Sequence, residues 1–391
     1  MSSILSNRVQ KVKPSATLAV TAKANELKAK GVKVVPMGSG EPDFDTPSNI
    51  QKAAVDAIRG GQTRYTAVDG TAELKSAIRE KFLRDNNLKY SANEVMASCG
   101  GKQVFYNLCQ AILNKDDEVI IPGPYWVSYP DMAILADATP VIIETGLEQD
   151  FKITPEQLES SITKKSKLLV LNSPSNPTGA VYTRKEIEEL GKVLERHPQV
   201  YIISDDIYEH ILLGDDDFVN IAMACPKLKD RTIILNGVSK AYAMTGWRIG
   251  YAAGPEDIIK AMKKIQGQST SNPTSIAQAA AVEALNGEQI FINTMVEAFS
   301  RRHDFLLESL NAIDGIQCPR SSGAFYSFPK VQGLIDRLGL SDDVEFATYC
   351  LEKLNIALVP GSAFGAPGYA RFSFATSMDN IKEAVDRLAN A

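Results

Sequence analysis

The chain has 391 residues, 44% of them hydrophobic and 23% charged, which is the composition of a globular protein with room for one large domain and a smaller one. The formal net charge of −5, and the absence of any apolar run near the ~20 residues of a membrane span, argue against nucleic acid or a membrane as the main partner. Five cysteines without CxxC spacing and three scattered histidines disfavour disulfides, a metal site and a histidine triad, and they indicate a cytoplasmic protein.

The N-terminal segment predicts an extended arm over residues 1–13. A helix then begins at Ser15 and ends at Gly31, a residue typical of helix C-termini. A short apolar strand follows at 32–37. The glycines after this strand do not form a GxGxxG fingerprint, so a nicotinamide dinucleotide site is excluded there.

From residue 46 to about residue 287, the pattern alternates between helices and strands. Helices are predicted at 47–59, 71–86, 102–113 and 125–136, and strands at 94–98, 118–121, 140–144, 168–171, 200–204, 232–235 and 249–253. Two capping boxes begin further helices at Thr154 and Thr183. Apolar, β-branched runs that alternate with helices predict a mainly parallel sheet covered on both faces, so the fold class is α/β.

After Gly287 the pattern changes to that of a smaller α+β domain. It predicts helices at 290–310, 343–354 and 378–389, and strands near 323–328 and 370–375. We therefore predict an arm (1–13), an N-terminal part of a small domain (14–45), a large domain (46–290) and a C-terminal small domain (291–391).

The stretch from Val238 to Tyr251 carries the strongest chemical signal in the chain. An apolar strand delivers Lys240, and Arg248 follows eight residues later. A lysine in such a position can hold an aldehyde as a Schiff base, while an arginine binds a nearby phosphate. Pyridoxal 5'-phosphate contains both groups.

Glycine-rich and polar segments follow the other predicted strands. Gly100 and Gly101 begin a helix whose N–H groups and dipole favour an anion, although alone they are also typical of a turn. Trp126 can stack on an aromatic ring or lie in the core, and Asn176 lies in a turn-like segment. Asp205 can face a pyridine nitrogen and keep it protonated. Ligands of open parallel sheets bind beyond the carboxyl ends of the strands, so we expect these segments to converge.

Several motifs together resemble the class I pyridoxal-phosphate aminotransferases of the aspartate aminotransferase type. They are Ser239-Lys240 followed by Gly246, Arg248 and Gly250; Asn176-Pro177-Thr178-Gly179; Asp205 with Tyr208 three residues on; and Arg371-Phe372-Ser373-Phe374-Ala375. The resemblance implies the fold type I architecture of pyridoxal-phosphate-dependent transferases, with a seven-stranded sheet in the large domain. It also implies a homodimer with shared active sites.

The resemblance assigns roles to individual residues. Lys240 is the catalytic residue. The cofactor ligands are Gly100, Gly101, Lys102, Trp126, Asn176, Asp205, Tyr208, Ser239, Arg248 and Tyr65, of which Tyr65 reaches the phosphate of the neighbouring subunit. The substrate ligands are Gly40, Trp126, Asn176, Arg371, Lys102, Ser15 and Thr17. One departure concerns the phosphate: many relatives have a hydroxyl where this chain has Gly237, and we expect Ser239, Ser98 or the Gly100-Gly101 segment to compensate.

The segments Ser15-Ala16-Thr17 and Gly101-Lys102 resemble a bacterial subgroup that includes aspartate/prephenate aminotransferases. That resemblance implies ping-pong transfer of the amino group of aspartate or glutamate to 2-oxoglutarate or oxaloacetate, through an internal aldimine on Lys240. A preference for prephenate, for aromatic amino acids or for alanine or methionine stays open. So does a pyridoxal-phosphate-dependent β-lyase or decarboxylase. A transcriptional regulator of similar fold is disfavoured, because the chain has no spare segment for a DNA-binding domain.

Overall fold

The computed structural model describes residues 4–14, 16–214 and 217–391, and it leaves the side chains of residues 16–18 undescribed. The helices are α1 (Asn7–Lys11), α2 (Ala16–Ala29), α3 (Ser48–Arg59), α4 (Ala72–Asn86), α5 (Gly101–Ile112), α6 (Ser128–Leu135), α7 (Pro155–Ser161), α8 (Arg184–Glu195), α9 (Ile221–Ala224), α10 (Glu256–Gly267), α11 (Ser275–Asn286), α12 (Ile290–Asn311), α13 (Gln332–Arg337), α14 (Asp343–Glu352) and α15 (Met378–Ala389). The strands are β1 (Val35–Pro36), β2 (Val95–Ser98), β3 (Glu118–Pro122), β4 (Thr139–Ile143), β5 (Ser166–Asn172), β6 (Tyr201–Asp205), β7 (Thr232–Gly237), β8 (Gly250–Ala253), β9 (Tyr326–Ser327), β10 (Ile356–Ala357), β11 (Val359–Pro360) and β12 (Ala370–Ser373).

A seven-stranded sheet with the order β2-β8-β7-β6-β5-β3-β4 forms the centre of the molecule. Strand β8 alone runs antiparallel to its neighbours, and the other pairings are parallel. Helices cover both faces. Ile233 and Leu235 pack in one hydrophobic cluster with α5 and α10, whereas Ile234 between them packs in another with α4 and α11. The predicted α/β class with a mainly parallel, doubly covered sheet is confirmed.

The second part of the chain forms a smaller α+β unit, as the sequence predicted. Strands β11, β12 and β9 make an antiparallel sheet, which α12 and α15 pack against. The N-terminal segment joins this unit through β1, which pairs with β10, and through Ala24 of α2, which packs in a cluster with Leu351. The exact domain boundaries stay a prediction.

The two predicted capping boxes are present at the starts of α7 and α8. The extended arm, however, is wrong in part, because residues 7–11 form α1. The Ser6 hydroxyl caps this helix by accepting from the backbone N–H of Val9, and Arg8 and Lys11 complement its C-terminal end. Within the described ranges, no helix combines the length and the apolar character needed to cross a bilayer.

Candidate active site

A cavity of about 440 Å³ lies at the carboxyl ends of the central strands, where the smaller unit meets the sheet. Its lining includes many of the residues singled out from the sequence, namely Gly40, Gly101, Lys102, Trp126, Asn176, Asp205, Tyr208, Ser239, Lys240, Arg248 and Arg371. Residues from distant parts of the chain therefore lie together at the carboxyl ends of the strands, as the sequence predicted. Their individual roles stay predictions.

Lys240 reaches the cavity from the loop that follows β7. Its Nζ donates to the backbone carbonyl of Gly40 and lies 5.9 Å from the ring centroids of Tyr208 and Phe325. Burial, and next the positive charge of Arg371, lower the pKa of Lys240 to about 8. A neutral amine is therefore available here at a pH where ordinary lysines are protonated.

Asp205 is the last residue of β6, and its carboxylate is buried. Oδ2 accepts from the Tyr129 hydroxyl at 2.5 Å, and Oδ1 accepts from the N–H of Ile207 at 3.3 Å. Burial raises the pKa of Asp205 to about 6, although the bond from Tyr129 opposes the shift. A cation against this carboxylate would keep it ionised.

Asn172 at the end of β5 fixes the two predicted cofactor ligands beside it. Its side-chain N–H donates to the Asp205 carbonyl at 2.9 Å, and its Oδ1 accepts from the Asn176 N–H at 2.9 Å. Asp206, the residue after Asp205, is only 1% exposed. It accepts from the Ser204 hydroxyl and the Asn220 amide on the side away from the cavity. Its carboxylate therefore does not line the cavity.

Arg371 on β12 is a buried guanidinium with an incomplete set of partners. It is 2% exposed and donates through Nη1 to Asn176 Oδ1 and through Nη2 to the Gly38 carbonyl, each at 2.9 Å. Its Nε has no hydrogen-bond partner within the described part of the chain. No carboxylate among the described residues forms an ion pair with it. A buried cation of this kind fits an incoming carboxylate.

The glycine loop before α5 packs directly against Arg248. Gly100 has a φ of 91°, and a Cβ there would overlap the Arg248 guanidinium. That guanidinium donates to the carbonyls of Thr245 at 2.9 Å and Cys99 at 3.4 Å. A helix N-terminus and an arginine thus lie together, as a phosphate site requires.

The structure explains why Gly237 has no hydroxyl side chain. A Cβ at this position would lie 2.9 Å from the Ile249 carbonyl oxygen and 3.1 Å from Gly250 Cα, so a side chain does not fit there. Of the groups expected to compensate, Ser239 and Gly101 line the cavity. Ser98 is outside that lining and donates its buried hydroxyl to Gln266 at 2.6 Å.

Lys102 lies at the open side of the cavity, with its Nζ 5.2 Å from the Trp126 ring centroid. Partial burial, and next Arg248, lower its pKa. Ser15 lies outside the described residues, and so does the side chain of Thr17. Tyr65 is 92% exposed and absent from the cavity lining, so its predicted contact with a neighbouring subunit stays a prediction.

Two aromatic residues of the site are not predicted from the sequence. Tyr129 lies three residues after Trp126, and within the helix predicted at 125–136 this spacing could have indicated that it faces the same way. Tyr326 lines the cavity from β9, and its hydroxyl lies 2.8 Å from that of Tyr208. The pairing of β9 with β12 places Tyr326 opposite Ser373, two residues from Arg371, and sequence alone does not reveal that register.

Comparisons with known proteins agree on one family. The profile of the family "Aminotransferase class I and II" matches residues 32–388. A curated aspartate/prephenate aminotransferase of Nitrosomonas europaea is 58% identical over 99% of both chains, and one of Cereibacter sphaeroides is 55% identical over 98% of this chain and 97% of the relative. The crystal structure of an aspartate aminotransferase from Rhizobium meliloti superposes with a TM-score of 0.95, with 46% identity and coverage of 100% of this chain and 99% of that one. The aspartate aminotransferase of Thermus thermophilus with maleate gives 0.94, with 44% identity and full coverage of both chains.

Proposed function

Because this chain belongs to the class I and II aminotransferase family, we propose that it transfers the amino group of aspartate or glutamate to a 2-oxo acid with pyridoxal 5'-phosphate in the cavity. The predicted family and the predicted aminotransferase activity are both confirmed. The substrates, the cofactor and the role of each site residue are parts of the proposal.

One observation carries it: three buried or partly buried ionisable groups face one cavity without pairing with each other. Lys240, Asp205 and Arg371 all line the cavity, and among the described residues none of them has an ion-pair partner. Groups of this kind are costly to bury, so they favour a ligand that complements them. An amino acid carboxylate fits Arg371, and a pyridine nitrogen fits Asp205.

The residues present fit the proposed cofactor. When bound, pyridoxal phosphate supplies an aldehyde that condenses with amines and a ring that accepts electrons. Lys240 offers the amine, and the Gly100-Gly101 helix start together with Arg248 offers an anion site. Tyr208 and Asn176 offer hydrogen bonds to the ring oxygen.

Lys240 would carry out the proton transfers. Its pKa of about 8 allows the neutral Nζ to accept the proton from the substrate Cα, and the same amine would deliver it to the carbon of the cofactor's former aldehyde. Arg371 would hold the α-carboxylate in the cavity that Lys240 also lines, and the Asp205 carboxylate would favour a protonated ring nitrogen. These three tasks together define the transfer.

We assign the second carboxylate of the substrate to Lys102. This lysine lies at the open side of the cavity beside Trp126 and carries no ion-pair partner among the described residues. Aspartate, glutamate and prephenate all have a second carboxylate, and the names of the Nitrosomonas and Cereibacter relatives include aspartate and prephenate. Prephenate is therefore our second acceptor.

A panel of amino donors and oxo acceptors on the purified protein tests this proposal. We expect oxaloacetate or glutamate as products, and release of ammonia with pyruvate would instead indicate a β-lyase. In Lys102→Gln, kcat/KM for dicarboxylic substrates should fall about 10- to 100-fold, the value of a charged hydrogen bond, while alanine and phenylalanine stay within a factor of about two. The exposed Lys227, which does not line the cavity, gives the control Lys227→Gln. Equal losses for every substrate would assign Lys102 to the cofactor.

We further propose a homodimer in which Tyr65 serves the partner's cavity. An aromatic ring that is 92% exposed in the single chain supports this arrangement. Mixing Lys240→Ala with Tyr65→Phe under subunit-exchange conditions tests it, since a mixed dimer would contain one site with both native residues. We expect activity above that of either variant alone, and no gain would place Tyr65 outside the site.

A further inference from the structure

Two buried tyrosines join the two halves of the site. The hydroxyl oxygens of Tyr208 and Tyr326 lie 2.8 Å apart, and their rings meet edge to face with centroids 5.9 Å apart. Tyr208 follows β6 of the large sheet, whereas Tyr326 belongs to β9 of the smaller unit. The bond therefore links the side of the cavity that holds Asp205 to the side that holds Arg371.

The ring of Tyr326 is fixed by a second contact. The Arg371 guanidinium carbon lies 4.4 Å from the centroid of this ring, a cation–π distance. Tyr326 is fully buried, and its register partner Ser373 is two residues from Arg371 on β12. The Tyr326 hydroxyl is thus held in one place by the packing of its own ring.

We propose that Tyr326 is a positioning residue whose hydroxyl donates to Tyr208 and thereby directs the Tyr208 proton to the cofactor. This inference rests on the proposed function, in which Tyr208 donates to the ring oxygen of pyridoxal phosphate. A phenol has one proton, so when Tyr208 donates to the ligand its oxygen can only accept. Tyr326 is the donor 2.8 Å away, and a phenol that accepts a hydrogen bond is itself a stronger donor.

The surroundings keep both phenols protonated. Burial raises the pKa of Tyr208 well above its ordinary value, and burial also raises the pKa of Tyr326. The charged groups that face Tyr208 are Arg371, Asp205 and the Lys240 amine, which is 5.9 Å from its ring centroid. None of these groups can take the place of Tyr326 and donate a hydrogen bond to the Tyr208 hydroxyl from the same position.

The test is the pH midpoint of the visible absorbance of the bound cofactor in Tyr326→Phe. Without the hydrogen bond from residue 326, Tyr208 is a weaker hydrogen-bond donor to the cofactor's oxygen, and that oxygen becomes more basic. The proton that the oxygen shares with the Lys240 nitrogen is therefore released at higher pH. We expect the midpoint to rise by about half to one pH unit, and kcat to fall about three- to tenfold. KM should stay close to wild type, because phenylalanine keeps the ring under Arg371.

A matched control and a double variant separate this role from a structural one. Tyr182 is also buried, its oxygen accepts from the Ile153 N–H at 2.9 Å, and it does not line the cavity. We expect Tyr182→Phe to leave the midpoint unchanged. In Tyr208→Phe, the further change Tyr326→Phe should add no shift, since the two hydroxyls act in series.

A wild-type midpoint in Tyr326→Phe, or a full additional shift in the double variant, would overturn the inference while leaving the proposed function intact. A wild-type protein that develops no visible absorbance with pyridoxal phosphate would instead overturn the proposed function. Should the phenylalanine variant fold poorly, Tyr326→Met removes the same hydroxyl with a side chain that adapts to the space, and the same midpoint decides.

Discussion

Two lysines, the buried Lys81 and the partly buried Lys240, are surrounded very differently. Lys81 is 0% exposed, and its Nζ bonds the Glu209 carboxylate and donates to Asn86 Oδ1 at 2.7 Å. Among the residues that the structure describes, Lys240 donates only to the backbone carbonyl of Gly40. A complete set of partners indicates a structural charge, whereas a missing counter-charge indicates a ligand site.

Glu209 completes the closed cluster around Lys81. It also accepts from the side-chain amides of Asn86 at 2.9 Å and Asn236 at 2.7 Å. Burial alone would raise the pKa of Glu209, but Lys81, His210 and the Asn86 hydrogen bond together outweigh burial and lower it to about 2. Asp85, Glu209 and His210 lie close enough to hold a metal ion, but the Lys81 ammonium already supplies the cation there.

The closed cluster and the cavity share one segment of chain, residues 205–210. Asp205 and Tyr208 face the cavity, while Asp206 and Glu209 make their bonds on the other side. The closed side can therefore hold the segment rigid while the cavity side keeps its bonding capacity for a ligand. This division predicts opposite phenotypes for variants on the two sides.

The largest expected effect is that of Lys240→Ala on turnover. Removal of the amine abolishes the general base, so we expect kcat to fall by roughly 10⁴-fold while thermal stability stays near wild type. Activity assays and a thermal melt on the same preparation measure both. An active variant, or one that fails to fold, would contradict the contrast between the two lysines.

The next largest effect is that of Lys81→Met on stability. It leaves the Glu209 charge buried without its partner, so we expect the free energy of unfolding to fall by about 3–5 kcal/mol in denaturant titrations. Glu209→Leu in the same chain removes the orphaned charge and should restore much of the loss. A double variant no more stable than the single one would show that packing, rather than charge, explains Lys81.

The smallest effect concerns the pH at which Lys240 reacts. Its pKa is lowered, so in the cofactor-free protein the neutral, reactive amine should increase as the pH rises through about 8. Exposed lysines should do so at ~10.4. Pulse acetylation followed by peptide mass spectrometry gives both midpoints, with Lys81 expected to stay unlabelled. A Lys240 midpoint near that of exposed lysines would remove the evidence for a desolvated amine.

The same contrast separates what the sequence could predict from what it could not. Lys240, Asp205 and Asn176 each follow a predicted strand, so the strand pattern alone predicts that they lie at one edge of the sheet. Lys81 and Glu209 are 128 residues apart, and a lysine in a helix is ordinarily exposed, so local pattern predicts no contact between them. Tertiary packing alone brings them together.

Short or alanine-rich helices are also hard to predict, because their local sequence signals are weak. Residues 7–11 form α1 with one serine cap, a signal too weak to outweigh the arm expected there. Helices α10 and α11, both within the predicted large domain, are not predicted individually. Alanines of α11 such as Ala280 and Ala281 are fully buried, so its small residues indicate close packing rather than an apolar stripe.

The contact at Gly237 has a consequence for protein engineering. Gly237 is paired with Gly250 in the sheet, and a side chain on Gly250 would in turn collide with the backbone of Gly100 and Gly101. The main-chain segments at Gly237, Gly250 and Gly100-Gly101 are thus packed against one another, without side chains between them, behind the predicted phosphate site. A hydroxyl side chain at Gly237 would require these main-chain segments to separate, so a serine introduced there does not offer a way to strengthen the predicted phosphate site.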